Sequence, residues 1–193
     1  FNVEFYWQNL FEDTPMRPLG FAYNIEDGLW GLSVKMPKFK PLQRVALEFL
    51  STTDMSGPWH DLDGVIYGGM DGYYNNGVYP NGWSFYGMTI GNPWLTSPKY
   101  NEGGDIGIQN NMVRLYYLSG LGIIKNINYK ATIAYSQNFG NPGWVHDSKD
   151  QFSWQIETEK NIGRNLKLSL GFSGDNGRMY GNNYALIAGI CWN

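Results

Sequence analysis

Cysteine is nearly absent from this sequence: Cys191 is the only one in 193 residues. A disulfide framework within the chain and a cysteine-based metal cage are both excluded. Charge is scarce as well. Only 16% of residues are charged, and the net charge of −3 leaves no broad basic footprint of the kind a nucleic-acid binder carries. Histidine occurs twice, as His60 and His146, so bases for nucleophilic or acid–base chemistry are few. No apolar run approaches the roughly 18 residues of a membrane-spanning helix, and mean hydropathy is −0.39. The chain opens at Phe1 in a strand-like pattern with no leading signal, as expected of a mature product or a fragment whose address has been removed.

What the sequence does hold is aromatic and glycine-rich: 17% of residues are aromatic and 25 are glycine. Period-2 alternation dominates, placing alternate side chains on opposite faces of an extended strand. Phe1, Val3, Phe5 and Trp7 oppose Asn2, Glu4, Tyr6 and Gln8. The pattern returns over Trp30–Met36, Val45–Phe49, Val113–Tyr117, Ile127–Tyr135, Phe152–Ile156, Leu166–Phe172 and Tyr184–Trp192, which makes eight predicted strands. No segment between them has a helical period.

Strands near 10 residues, rising about 3.3 Å each and tilted about 40°, cover roughly 25 Å, the height of an outer-membrane apolar band. A soluble sandwich alternates in the same way. Two features favour the membrane. Aromatics cluster near strand ends (Trp7, Trp30, Tyr117, Tyr135, Tyr184, Trp192), as interfacial girdles would. Connections also sort by parity. Asn9–Asp27, Thr53–Asn111 and Asn138–Lys149 read as long and Gly174–Asn183 as moderate, while Pro37–Leu42, Lys125–Asn126 and Asn161–Gly163 read as short. Short periplasmic turns and longer external loops are the barrel pattern.

The expected fold is therefore all-β, an antiparallel transmembrane outer-membrane β-barrel. Its outward rows include Val113, Leu115, Ile133, Trp154, Leu168 and Ile190. Its inward row carries Glu4, Gln8, Glu48, Arg114, Lys130, Glu157, Glu159 and Lys167. Those charges suit a wide lumen better than the filled interior of a closed eight-stranded barrel, so the first strand should not pair with the last.

The run "GGMDGYYNNGVYPNGWSFYGMTIGNPWLTSP" (Gly68–Pro98), followed by "NNMVRLYYLSG" (Asn110–Gly120), resembles the capsule-assembly Wzi-like family, as does "EDGLWGLSVKM" (Glu26–Met36). The resemblance implies an outer-membrane barrel of about 18 strands, on the order of 400 residues in all, of which this chain is the C-terminal half. It further implies a lectin-like role in holding or assembling capsular polysaccharide. The partners expected are surface polysaccharide, outer-membrane lipid and the remaining N-terminal part of the same barrel.

Catalytic motifs fall short. Ser84 in "NGWSFYG" has G-x-S-x-x-G spacing rather than the G-x-S-x-G of a nucleophile elbow. "HDLDG" (His60–Gly64) hints at a calcium loop, but Val65 and Gly72 stand where an EF-hand needs oxygen ligands. Glu157 and Glu159 share one strand face and read as a solvated lumen wall rather than a glycosidase pair. No enzyme and no cofactor are expected.

A sugar ring offers an apolar face and a rim of hydroxyls, so its site needs flat aromatic platforms beside amide and carboxylate side chains. The run from Gly68 to Pro93 and its neighbours supply both. The candidate carbohydrate-binding residues are Asp71, Tyr73, Tyr74, Asn75, Asn76, Trp83, Tyr86 and Trp94, with Tyr79, Asn81 and Asn92 beside them. Arg114 is the candidate donor for acidic sugars. The same aromatics could instead pack on one another, in a hairpin between Tyr73 and Tyr86 turned by Asn76-Gly77 and Asn81-Gly82. The alternative function is a porin-like channel constricted by this loop; an outer-membrane hydrolase stands third.

Overall fold

The computed structural model describes residues 1–9, 26–55, 57, 61–62, 65–66, 69–163 and 165–192. The alternating segments form strands, and all pair in chain order. β1 (Asn2–Gln8), β2 (Gly28–Lys35) and β3 (Arg44–Ser51) precede a long link containing two small hairpins, β4 (Asp61–Leu62) with β5 (Val65–Ile66) and β6 (Ser84–Phe85) with β7 (Met88–Thr89). β8 (Val113–Ile124), β9 (Ile127–Asn141), β10 (Trp144–Ile162), β11 (Leu166–Gly177) and β12 (Asn183–Trp192) complete an eight-stranded antiparallel sheet of order β1-β2-β3-β8-β9-β10-β11-β12. The sheet is open: β1 pairs with β2 and β12 with β11, and the two do not meet.

Register assembles the two sequence faces into continuous surfaces. Trp7, Trp30, Phe49, Tyr116, Tyr135 and Phe152 are successive cross-strand partners, so six strands contribute one unbroken aromatic row. Trp7 stacks on Trp30 at 5.2 Å and Phe49 lies 5.1 Å from Tyr116. One step further along the strands, Phe5, Leu32, Leu47, Leu118, Ile133 and Trp154 form an aliphatic-rich row on the same face. Most of this face is uncovered, with Phe5 67%, Leu47 48% and Ile190 76% exposed.

The opposite face is polar along most of its length, carrying Glu4, Glu48, Lys130, Glu157, Glu159 and Lys167. Lys167 Nζ is 2.8 Å from Glu159 and Lys35 Nζ 3.6 Å from Glu4. Gly31 has a specific task here. The Tyr6 ring lies across it and hands its hydroxyl to Glu48, two strands away. A Cβ on Gly31 would fall inside that ring. Gly31→Val is therefore expected to lose about 1–2 kcal/mol through overpacking, read as a lowered urea midpoint. In a Tyr6→Ala background most of the loss should vanish; an equal loss there would mean that the ring is not the obstacle.

At one end of the sheet the polar face is covered by the long link. Leu95 and Ile108 from the link pack with Leu50, Val113, Leu115 and Ala134 into the buried core. Val113 and Leu115, expected to point outward, are thus 0% and 2% exposed on the inner face. Tyr116 and Leu118 take the outer positions instead. Arg114 shares their side rather than the inner row, and Tyr116, not Tyr117, belongs to the aromatic row.

A second correction concerns Asn138–Lys149. It is not a loop. β9 and β10 continue as a projecting hairpin that turns at Pro142 and Gly143, with a register irregularity between Val145 and Lys149. Asn141 accepts the Gly143 N–H at 2.9 Å and holds the turn. The Lys125–Asn126 turn is tight, as expected; both residues have positive φ, 49° and 63°, matching the twist of a two-residue hairpin.

Candidate functional site

Asparagines pin the long link to the strand ends. Asn110 Nδ2 donates to Asn138 Oδ1 at 3.0 Å, Asn111 Nδ2 donates to the Tyr73 carbonyl at 2.7 Å, and Asn138 Nδ2 reaches the Lys149 carbonyl at 2.9 Å. Beneath them Asp27 is fully buried and accepts hydrogen bonds from Ser51, Tyr73 and the backbone N–H groups of Asp54 and Met55. The Asp54 carboxyl beside it is raised above its ordinary range, by burial first and by the Asp27 and Glu26 carboxylates second.

From this base the chain rises at Tyr74 and returns at Trp83, whose N–H donates to the Tyr74 carbonyl at 2.7 Å. Asn76 Oδ1 accepts from Val78 and Tyr79 N–H groups, at 2.8 and 3.0 Å, and so shapes the first turn. Gly82 closes the second at φ 55°, where a Cβ would overlap the Tyr74 carbonyl oxygen. The tight two-residue turn falls elsewhere than the Asn-Gly pairs predicted: Tyr86 and Gly87, at φ 49° and 75°, join β6 to β7.

Between the two arms lies a groove of about 780 Å³. Tyr74, Tyr79 and Trp83 provide its rings and Asn75, Asn76 and Asn81 its amides, with Ile106 from the far side of the link. Asn75 holds that far side by accepting from Ile108 N–H at 2.8 Å and donating to Ile108 O at 2.9 Å. Trp83 is 63% exposed. Tyr74 is half-buried, and burial raises its phenol above the usual range. No charged side chain lines the groove.

Four of the predicted residues, Tyr74, Asn75, Asn76 and Trp83, therefore share one concavity. The other five do not line it. Tyr73 is 1% exposed and serves as a brace through its hydroxyl on Asp27, 2.9 Å away. Asp71 ties the segment to Met55 through its N–H, at 2.8 Å. Trp94 packs against the buried core. Tyr86 is 88% exposed on its own hairpin, edge-on to Phe85. Arg114 donates to Thr53 Oγ1 at 3.2 Å and sits 5.7 Å from the centre of the Phe139 ring. Ile106 has no local signal in the sequence; contacts from Asn75 to Ile108 and from Asn101 to the Asp105 and Gly107 carbonyls hold its stretch in place.

The remaining chemical candidates are engaged otherwise. Ser84 donates its hydroxyl to the Asn81 carbonyl at 2.7 Å. Glu157 accepts from Gln155 at 2.7 Å, while Glu159 pairs with Lys167. Among the described residues no group of three His, Cys, Asp or Glu side chains gathers to hold a metal. The side chains of His60–Gly64 lie outside the described residues. Comparison with protein families, with curated proteins and with solved structures finds no match to this chain.

Proposed function

We propose that this chain is part of an outer-membrane barrel whose long external link holds surface polysaccharide without catalysing its turnover, as its resemblance to capsule-assembly Wzi-like proteins implies. The groove carries this reading. Exposed Trp83 and Tyr79 and half-buried Tyr74 offer ring faces, and three asparagines stand beside them. Such a pairing of flat apolar surface with neutral donors and acceptors suits a pyranose ring. Its volume falls within the range of small-ligand sites.

The membrane part of the proposal draws on the sheet. An exposed apolar face bordered by a continuous aromatic row is the arrangement a lipid-facing wall requires. An open sheet also leaves two edges for the rest of a larger barrel to pair with. Against the porin alternative stands the buried core beneath the link, which fills the inner face at one end of the sheet. Bilayer conductance separates the two: a plugged lectin barrel should be nearly silent, whereas a constricted porin should conduct.

The binding test is Trp83→Ala. Loss of one stacking face should weaken retention of capsular polysaccharide by about 1–2 kcal/mol, measured by cell-surface capsule binding or by titration with its oligosaccharides. The urea midpoint should stay near that of the parent, because the ring is largely exposed. Unchanged binding in a Trp83→Ala/Tyr74→Ala double variant that still folds would remove this groove as the glycan site.

A further inference from the structure

A second concavity lies at the same end of the sheet and differs from the first in charge. It spans about 570 Å³ between the Tyr100–Asn110 stretch of the long link, the projecting β9–β10 hairpin and the Met179–Tyr180 turn. Trp144 and Tyr100 present exposed rings, 59% and 66% accessible. Tyr180 stands opposite, its hydroxyl 3.2 Å from Thr96 Oγ1. His146 sits edge-on to Trp144, ring centres 5.6 Å apart, with Nδ1 2.8 Å from the Asp147 carbonyl.

The cation here is Lys149. It lines the concavity, which contains no carboxylate, and among the described residues no acidic side chain pairs with its ammonium. The acids nearest in sequence and space are occupied. Asp150 takes the Ser148 hydroxyl and faces Arg178 at 3.9 Å, and Asp105 accepts from Gln109 Nε2 at 2.6 Å. Among the described side chains, Asp175 beside Tyr180 accepts the Ser153 hydroxyl at 2.5 Å, and Asp147 is exposed on the tip side of Lys149. A ring face, an amide rim and an uncommitted ammonium together fit a sugar that carries its own negative charge.

We infer that this second concavity is an acidic-sugar subsite, in which Lys149 pairs with the carboxylate of a hexuronate while Trp144 or Tyr100 stacks on its ring. The inference rests on the glycan-binding reading of the first groove and deepens it. The uncharged groove at Trp83 takes a neutral residue, the Lys149 concavity takes an acidic one, and the polymer held is an acidic polysaccharide. The Tyr100–Asn110 and Ile106 stretch belongs to both walls, so one strand of polymer crossing it engages the two sites together. Arg114, the acidic-sugar donor expected from sequence, is replaced in that role by a lysine on the hairpin that the sequence reads as a loop.

The test uses the full chain in detergent micelles and calorimetric titration. The probes are a tetrasaccharide alternating glucuronate with N-acetylglucosamine and the same tetrasaccharide with its carboxyl groups reduced to alcohols. Lys149→Gln should weaken binding of the acidic probe about tenfold, as loss of one charge-assisted hydrogen bond implies. The reduced probe should bind the variant and the parent equally, and Lys149→Arg should retain most affinity for the acidic one. Acidic-probe affinity unchanged in Lys149→Gln, or equal loss for both probes, overturns the subsite. If Trp83→Ala still weakens both probes in that case, the neutral groove stands without it. Lys149-dependent, carboxylate-selective binding that ignores Trp83 would support the subsite and remove the groove. Failure of the parent to bind either probe overturns both.

Discussion

Asp27→Ala is expected to destabilise the chain by about 3–5 kcal/mol, more than any substitution in the groove itself. The carboxylate is fully buried, and its two oxygens receive Ser51 Oγ at 3.2 Å, Asp54 N–H at 3.0 Å, Met55 N–H at 2.8 Å and Tyr73 Oη at 2.9 Å. Alanine would strand these donors, three of them in buried bonds and the Asp54 N–H in a part-buried one. Each unpaired buried donor costs roughly 1–3 kcal/mol before relaxation, and the two hydroxyls can turn away while the two backbone groups cannot. Asp27→Asn keeps one acceptor oxygen but turns an NH₂ group on part of the same donor set, so it should lose about half as much. Tyr73 precedes the first groove residue, so if the groove holds glycan as proposed, the Ala variant should also blunt that binding. Urea titration followed by tryptophan fluorescence checks the order Ala, then Asn, then parent. A loss below about 1 kcal/mol for Ala would show that the link is held by its apolar core alone.

Little in the sequence points to Asp27. It is one acid between Glu26 and Gly28, and its side-chain partners Ser51 and Tyr73 lie 24 and 46 positions away. The strands were legible for the opposite reason. Alternation is a local property, so Phe1–Trp7 or Leu166–Phe172 declares both its conformation and its two faces without reference to the rest of the chain. Chain-order pairing then follows from antiparallel neighbours joined by hairpins.

The misreadings arise where a face changes character along one strand. Val113 and Leu115 alternate like outward residues, yet they lie beneath Leu95 and Ile108, which cover the inner face only at that end. Local periodicity cannot distinguish an apolar row facing lipid from one facing a folded-back link. The β9–β10 projection hid behind its composition: Asn141, Pro142 and Gly143 mark a turn, and the irregular register from Val145 to Lys149 breaks the alternation around it. In the glycine-rich stretch, composition singled out Tyr74, Asn75, Asn76 and Trp83, which line one groove. It could not separate Tyr73 from Tyr74, because which of two adjacent rings turns inward depends on Asp27.

The lipid-facing proposal has its own decisive substitution. Ile133 stands in the aliphatic-rich row one step below the aromatic one, flanked across the strands by Leu118 and Trp154, and is 44% exposed. In water, arginine at such an exposed position would be nearly neutral, since its charge stays solvated and its stem covers neighbouring apolar surface. In a bilayer the same charge must be drawn toward the interface or carried in with water, at a cost that falls from about 2–4 kcal/mol at the midplane to about 0–1 at the interface. Ile133, one step in from the aromatic row, would lie between the two. Ile133→Arg should therefore fold into lipid vesicles with a lower urea midpoint, while in aqueous detergent-free buffer it should not be less soluble than the parent. Thr132→Arg, on the inner polar face of the same strand beside Gln155 and Ser119, is the matched control. It adds the same side chain at the same depth but on the polar face, so its loss should stay well below that of Ile133→Arg. Equal losses for the two variants would mean that the apolar face is covered by protein or open to water, and the barrel reading would give way to a soluble sheet.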